Sequence, residues 1–82
     1  MKGVVIAVDP RQVFAAIKTG GGITPVEIMG GNYDFELWES VSGNLEDIGT
    51  HTTLSKENGG SVTVLIADCH CDREQIRKVY KI

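Results

Sequence analysis

Cysteine is scarce in this 82-residue chain: Cys69 and Cys71 are the only two, and one residue separates them. Such a pair cannot close the long loops through which disulfides stabilise small secreted domains. Long apolar runs are missing as well, because residues 4–8 are followed at once by Asp9 and Pro10. This stretch is too short for the core of a signal peptide or for a membrane span. We therefore expect a cytoplasmic protein that does not contact a membrane.

Positive charge is absent from the middle of the chain. Residues 19–55 contain no lysine or arginine, but they contain six acidic residues: Glu27, Asp34, Glu36, Glu39, Glu46 and Asp47. The last ten residues reverse this pattern, with Arg73, Arg77, Lys78 and Lys81 against Glu74 alone. An acidic middle and a basic end indicate either solvated surface with internal ion pairs or complementary self-association.

Aromatic residues make up only 6% of the chain, and the net charge is −3. Proteins that bind single-stranded nucleic acid combine a basic groove with aromatic platforms for base stacking. Here only a small patch of Arg11, Phe14 and Lys18 could supply both. The single tryptophan, Trp38, is a candidate stacking or interface anchor, with a core position as the other interpretation. The charge thus disfavours nucleic acid as the partner without excluding it.

Short apolar or alternating segments separated by glycine clusters are the main positive signal. Val, Ile, Thr and aromatic residues favour strands, and paired glycines favour tight reversals. Five segments carry this signal most clearly: residues 3–8, 13–18, 23–29, 33–38 and 61–67. Residues 41–45 and 50–55 are weaker strand candidates. The sequence therefore predicts a mainly β protein.

Details within these segments predict how each strand is placed. Alternation puts Val4, Ile6 and Val8 on one face of the first strand. Pro25 lacks an amide hydrogen, which predicts an edge strand or an irregular start. Residues 33–38 alternate most regularly, which predicts a strand with one face toward the core. Residues 58–60, Asn-Gly-Gly, predict the hairpin before the last strand.

A short helix is expected at the carboxyl end. Asp72 and Gln75 have the spacing of a capping box, and basic residues follow near the expected helix end. Ile76, Val79 and Tyr80 are spaced to form one apolar stripe that would pack on the barrel or plug one end. The predicted fold is a single domain over residues 1–82: a small antiparallel β-barrel, OB-fold or SH3-like, with a short C-terminal α-helix.

The first third of the chain resembles the opening hairpin of the cold-shock and wider OB-fold barrels. Residues 13–18, Val-Phe-Ala-Ala-Ile-Lys, follow Gly-Val-Val at 3–5 and a short turn, as in those barrels. The resemblance is architectural, and it implies nucleic-acid binding through exposed aromatics, lysines and glycines on the second and third strands. Phe14 and Lys18 match that pattern, and the departures from it are Ala15, Ala16, Val26 and Ile28.

The most chemically varied stretch is residues 68–72, Asp-Cys-His-Cys-Asp, whose side chains are all potential metal ligands. A structural zinc site needs four convergent ligands, and on an extended backbone His70 points away from Cys69 and Cys71. The glycine triplet at 20–22 lacks the Lys-Ser/Thr that completes a P-loop, and no nucleophile has a recognisable context. We expect no metal, no cofactor and no enzymatic activity.

The sequence thus predicts a noncatalytic barrel that acts through protein contacts, either with another protein or with itself, a dimer being favoured. A core this small leaves apolar side chains hard to cover within one subunit, so strand edges or an exposed apolar patch would form the contact. Weak binding of single-stranded nucleic acid by an OB-like strand face is the alternative. The candidate binding residues are Arg11, Phe14, Lys18 and Trp38.

Overall fold

The computed structural model describes residues 1–11, 13–31 and 35–82. These residues form six β-strands and one α-helix. The strands are β1 (Lys2–Val8), β2 (Phe14–Thr19), β3 (Gly22–Gly31), β4 (Ser40–Ser42), β5 (His51–Lys56) and β6 (Ser61–Ile66), and the helix is α1 (Arg73–Tyr80).

The strands form a closed barrel in the order β1-β2-β3-β6-β5-β4, with every pair antiparallel. Two three-stranded meanders, β1 to β3 and β4 to β6, are joined at both of their borders. The predicted fold class, a small antiparallel barrel with a short C-terminal helix, is confirmed. The OB-fold barrel has five strands, whereas the described residues form six. Because each described strand is paired on both sides, the free strand edge expected for self-association is not present among them.

The interior of the barrel is filled by one apolar cluster to which all six strands contribute. On β6, Val62, Val64 and Ile66 all point inward, as their alternation predicted. The other members are Val5, Ala15, Ile17, Val26, Phe35, Val41, Leu45 and Leu54, with Val8 and Ile28 packed against them. Burying a large aliphatic side chain contributes roughly 1.5–3 kcal/mol, so this cluster is the main source of stability.

A bulge in β1 changes which of its side chains face inward. The register with β2 shifts between Val5 and Ala7, so that Val5 and Val8 face the interior. Ile6 and Ala7 both join a second apolar cluster, on the outer surface. The predicted shared face of Val4, Ile6 and Val8 is therefore wrong, because the extra residue of a bulge breaks the two-residue period.

The helix covers that second cluster from outside the barrel. Ile76 is buried against Ala16, Ile23 and Cys71, and Tyr80 is half-buried beside them. The helix thus packs on the outer surface and does not plug an end. Val79 is 68% exposed, contrary to its predicted place in the stripe. Ile76 and Tyr80 lie one turn apart and occupy the face toward the barrel, which leaves Val79 at its margin.

The predicted cap of this helix is confirmed. Asp72 Oδ1 accepts a hydrogen bond from the Gln75 amide at 2.8 Å, and Gln75 Oε1 accepts one from the Asp72 amide at 2.9 Å. These two bonds satisfy donors that a helix end otherwise leaves free. In the described ranges, no helix has the length and apolar character that crossing a membrane requires.

The predicted hairpin at Asn58, Gly59 and Gly60 is also confirmed. The Lys56 amide donates to the Gly60 carbonyl at 2.8 Å, which closes the turn between β5 and β6. Asn58 Oδ1 accepts from the Gly60 amide at 2.9 Å, and Gly59 has a φ of 94° that favours glycine.

Pro25 does not mark an edge strand. β3 pairs with β2 on one side and β6 on the other, and Pro25 is buried opposite Ala16. Its carbonyl accepts a hydrogen bond from the Ala67 amide at 3.1 Å, one residue beyond the end of β6. In an antiparallel ladder the nitrogen and carbonyl of one residue face the same neighbour. The Pro25 nitrogen therefore also faces the β6 side, at the end of that ladder, where the missing amide hydrogen disrupts few hydrogen bonds.

The strand predicted at 33–38 is wrong for its described part, and Tyr33 and Asp34 lie outside the described residues. Phe35 is buried, as predicted, but Leu37 is exposed and the chain turns at Leu37 and Trp38. β3 and β4 lie on different sides of the barrel, so the chain must cross between them here. The alternation arises because Phe35 is a buried anchor and the residues after it form an exposed turn. A period-two pattern cannot distinguish this arrangement from a strand.

Candidate interaction site

The four candidate binding residues occupy two separate places. Phe14 and Lys18 lie on the outer face of β2, and Arg11 lies in the turn before it. The Phe14 ring is half-buried and packs against the Tyr80 ring of α1, with centroids 5.4 Å apart. Trp38 lies across β1 from this group, on the side of β1 that faces β4. The structure therefore brings Phe14 and Lys18 to one face but not Trp38.

Arg11 and Lys18 are both exposed. Arg11 Nε lies 3.8 Å from Asp9 Oδ1, and the same oxygen accepts a hydrogen bond from the Arg11 amide at 2.9 Å. Asp9 therefore fixes the turn and partly neutralises Arg11. Lys18 remains the exposed cation of the β2 face.

Trp38 is the more exposed of the two aromatic candidates, Phe14 and Trp38. It is 67% exposed, and its neighbour Leu37 is 55% exposed. Both belong to residues 36–39, which we call the 36–39 turn. Two adjacent large apolar side chains in solvent are a feature of contact surfaces more than of ordinary loops. The interpretation of Trp38 as a core residue is wrong.

Backbone hydrogen bonds hold the 36–39 turn against β1. The Trp38 amide donates to the Val5 carbonyl at 2.7 Å, and the Val5 amide donates to the Glu39 carbonyl at 3.0 Å. These bonds extend the β1–β4 ladder beyond Ser40. The turn is thus anchored to a strand of the barrel.

A buried ion pair also holds the turn in place. Lys56 Nζ lies 3.5 Å from Glu39 Oε2, and the two side chains are 2% and 12% exposed. The same Glu39 oxygen accepts a hydrogen bond from the Glu36 amide at 2.6 Å. Lys56 Nζ also lies 6.0 Å from the centroid of the Phe35 ring, within the range of a cation–π contact. Glu39 therefore links the turn to β5 through one carboxylate.

Trp38 has a left-handed backbone, with φ of 70°. Residues other than glycine rarely adopt this conformation, and it costs on the order of 1–3 kcal/mol where the surroundings impose it. The bonds to Val5 and the Glu39–Lys56 pair supply those surroundings. Backbone strain of this kind concentrates at functional segments.

Sequence reasoning did not find Glu39 and Lys56. Glu39 is one of six acidic residues in the cation-free stretch, and Lys56 is the first cation after it. Their pairing joins two segments of the chain that come together only when the barrel closes. The one available signal was a lysine in a β5 position where alternation points inward.

The cysteine-rich segment contacts two other parts of the fold. Cys71 is buried and forms an antiparallel bridge with Ile23, whose amide and carbonyl both bond to the Cys71 backbone at 2.9 Å. His70 Nε2 lies 2.5 Å from Glu46 Oε2, and Cys69 Sγ lies 3.9 Å from the Glu46 carbonyl. This segment therefore ties the loop after β4 to the start of α1. Within the described ranges, no three His, Cys, Asp or Glu side chains converge as a metal site.

Burial raises the pKa of the Cys71 thiol from 9.0 to about 11, and Asp68 contributes further as a hydrogen-bond partner and a negative charge. The pKa of Tyr80 is also raised, first by burial and then by the charge of Asp68. A thiol with a raised pKa is a poor nucleophile and a poor metal ligand. These shifts are consistent with Cys71 acting as a small buried side chain.

A surface pocket of about 220 Å³ lies over the short strand β4. Serines there are flanked by longer side chains, which leaves a shallow depression. Its lining residues are Lys2, Ser40, Val41, Ser42, Ser55, Lys56 and Glu57. Pockets for drug-sized molecules usually measure about 300–1,000 Å³, so this one is small.

Comparisons with known proteins add no assignment: a scan of protein-family models, a search of curated proteins and a search of solved structures each returned no match.

Proposed function

We propose that this protein is a noncatalytic interaction module that associates with copies of itself through the 36–39 turn. The observation that carries the proposal is the exposure of Leu37 and Trp38 on a turn that is fixed to the barrel. The turn is anchored by hydrogen bonds to Val5 and by the Glu39–Lys56 pair. The closed ladder of the described strands directs the contact to side chains.

A fixed turn favours binding because less conformational entropy remains to be lost. Immobilising a flexible side chain at an interface costs about 0.5–1.5 kcal/mol, and loops cost more. The backbone of Trp38 is already held, so most of its buried area contributes to affinity. Tryptophan is also enriched among the residues that dominate binding energy at protein interfaces.

The expected affinity is modest. An aromatic side chain buries about 150–250 Å² at most, which corresponds to roughly 4–6 kcal/mol at 25 cal/mol per Å². Association costs an estimated 4–15 kcal/mol in translational and rotational freedom. Burial of Trp38 alone is therefore insufficient, and contacts of Leu37 and of residues around the turn must add to the affinity. We expect a dissociation constant of roughly 10–100 μM, which corresponds to about 5.5–7 kcal/mol.

The alternative is weak binding of single-stranded nucleic acid on the OB-like face of β2. The exposed cations Arg11 and Lys18 favour it, and the half-buried Phe14 ring, packed on Tyr80, counts against it. Base stacking needs an open aromatic face. The two proposals differ in their response to salt, since nucleic-acid binding releases counterions and weakens steeply.

Sedimentation velocity over a concentration series, at low and high salt, tests the proposal. Wild-type protein should grow in mass with concentration, and Trp38→Ala should reduce association at least tenfold. Ile48→Ala is the matched control, because Ile48 is an exposed apolar residue, 53% exposed, outside the turn. Far-ultraviolet circular dichroism should show all three proteins folded.

A wild-type monomer at high micromolar concentration in both salts would contradict self-association. In that case, fluorescence anisotropy with a labelled oligothymidine tests the alternative, using Lys18→Glu as the variant. Steeply salt-dependent binding that Lys18→Glu removes would establish the nucleic-acid proposal in its place.

A further inference from the structure

The exposed charge within the 36–39 turn is negative. Glu36 is exposed next to Leu37, while the Glu39 carboxylate is turned inward to Lys56. Glu57 is exposed as well, and its amide donates to the Ser40 carbonyl at 3.1 Å, which places it beside the chain that leaves the turn. Lys2 is also exposed and lines the same pocket as Glu57, so the unopposed negative charge next to the two apolar side chains is that of Glu36.

The exposed surface of α1 has the opposite charge. Four cations lie exposed on it or directly after it: Arg73, Arg77, Lys78 and Lys81. Glu74 offsets one of them, because its carboxylate lies 3.0 Å from the Lys78 ammonium. Val79, 68% exposed, adds an apolar side chain next to Lys78. We call this surface the basic helix face.

Contacts between identical surfaces are unfavourable for both of these patches. Two 36–39 turns facing each other would bring the two Glu36 carboxylates close together, and two basic helix faces would bring cations together. Like charges placed opposite each other at an interface oppose association. The turn against the helix pairs opposite charges and also brings Trp38 near Arg77 and Lys78, both suited to cation–π contact.

We propose that the 36–39 turn of one copy docks on the basic helix face of a second copy, so that the chains associate head to tail. This inference rests on the proposed function and names both surfaces of the contact. In a head-to-tail pair, which has no two-fold axis, one turn and one helix face stay free. Such an assembly continues to grow unless the rotation between copies closes a ring.

Charge reversal on each surface tests this docking on the intact chain. The variants are Glu36→Lys and Arg77→Glu, alone and together, compared by sedimentation with the wild type at about 50 mM salt. Each single variant should weaken association about threefold to tenfold, since rim charges steer and orient contacts. The double variant should recover most of the lost affinity, because opposite charges then face each other again at these two positions, in exchanged order.

Asp47→Lys is the matched control, since it changes the net charge as Glu36→Lys does, but Asp47 is exposed between β4 and β5, outside both surfaces. It should leave association within about twofold of the wild type. The average mass of the wild type should also rise beyond two copies as concentration increases. Circular dichroism checks that each variant is folded.

The outcomes separate the two proposals. A mass that stops at two copies, with neither single variant altered, overturns head-to-tail docking and leaves self-association through Trp38 in place. A double variant as weak as the two single effects combined also overturns it, because the two positions then do not face each other. A wild-type monomer at every concentration removes the proposed function itself.

Discussion

Lys56 and Glu39 form a buried ion pair, with Nζ 3.5 Å from Oε2, and Glu39 directly follows the exposed Trp38 in the chain. The pair connects β5 to a turn whose backbone bonds to β1. A buried pair adds little stability relative to apolar residues, but removing one partner leaves the other charge desolvated. The pair therefore serves to fix the turn in one position.

The first prediction concerns this pair. Lys56→Met should lower the free energy of unfolding by about 2–4 kcal/mol, because Glu39 remains charged and largely buried. Glu39→Gln should also destabilise the fold, although its amide oxygen can still accept from Glu36. Urea unfolding followed by circular dichroism measures both effects.

The double variant of Lys56→Met and Glu39→Gln is the control for this prediction. It should be more stable than the sum of the single effects predicts, by at least about 1 kcal/mol. Simple additivity within about 0.5 kcal/mol would mean that the two side chains are not energetically coupled. Fluorescence of Trp38, the only tryptophan, reports separately on the turn.

The elements predictable from sequence were those specified by local chemistry. The Asp72 cap, the hairpin at 58–60 and the inward face of β6 depend on residues close together in the chain. The Glu39–Lys56 pair and the position of Pro25 depend on which strands become neighbours when the barrel closes. Local pattern carries no information about those pairings, so the site could be only partly predicted, through Trp38.

A second prediction tests the close approach of Gly22 to the segment before α1. A Cβ on Gly22 would lie 3.0 Å from His70 Cα and 3.2 Å from the Cys71 carbonyl, and its φ is 137°. Both features oppose any side chain, because the obstacles are backbone atoms. Gly22→Ala should therefore lower the free energy of unfolding by about 2–3 kcal/mol.

Gly20→Ala is the comparison for this variant, since a Cβ there meets nothing within 4 Å. It should change stability by no more than about 0.5–1 kcal/mol in either direction. Thermal unfolding of the two variants side by side is sufficient. Equal stability of the two variants would show that residues 70–71 shift to accommodate the added Cβ without loss of stability.

The third prediction concerns the helix cap. Asp72→Ala should reduce stability by about 1 kcal/mol, because the Gln75 amide loses its side-chain acceptor. Asp72→Asn retains an oxygen acceptor and should stay within a few tenths of a kcal/mol of the wild type. Urea midpoints provide the comparison. An Asn variant as unstable as the Ala variant would assign the effect to charge, not to the hydrogen bond.

The last prediction is a loss of stability at alkaline pH that Cys71 causes in part. Its pKa is raised from 9.0 to about 11 in the folded chain, mainly by burial, so the folded state keeps a proton that the unfolded state releases. Stability from this group is complete below pH 9 and is lost as pH rises through the folded-state value. Between those values we expect a loss on the order of 1–2 kcal/mol.

Cys71→Ala isolates that contribution. The variant should begin less stable at pH 8, because the buried sulfur is gone, but its stability should fall less between pH 8 and pH 10.5. A smaller fall should remain, since the pKa of Tyr80 is raised in the same direction. Urea unfolding in the presence of a reductant measures both curves. Parallel pH dependence in wild type and variant would show that the Cys71 thiol titrates alike in the folded and unfolded chains.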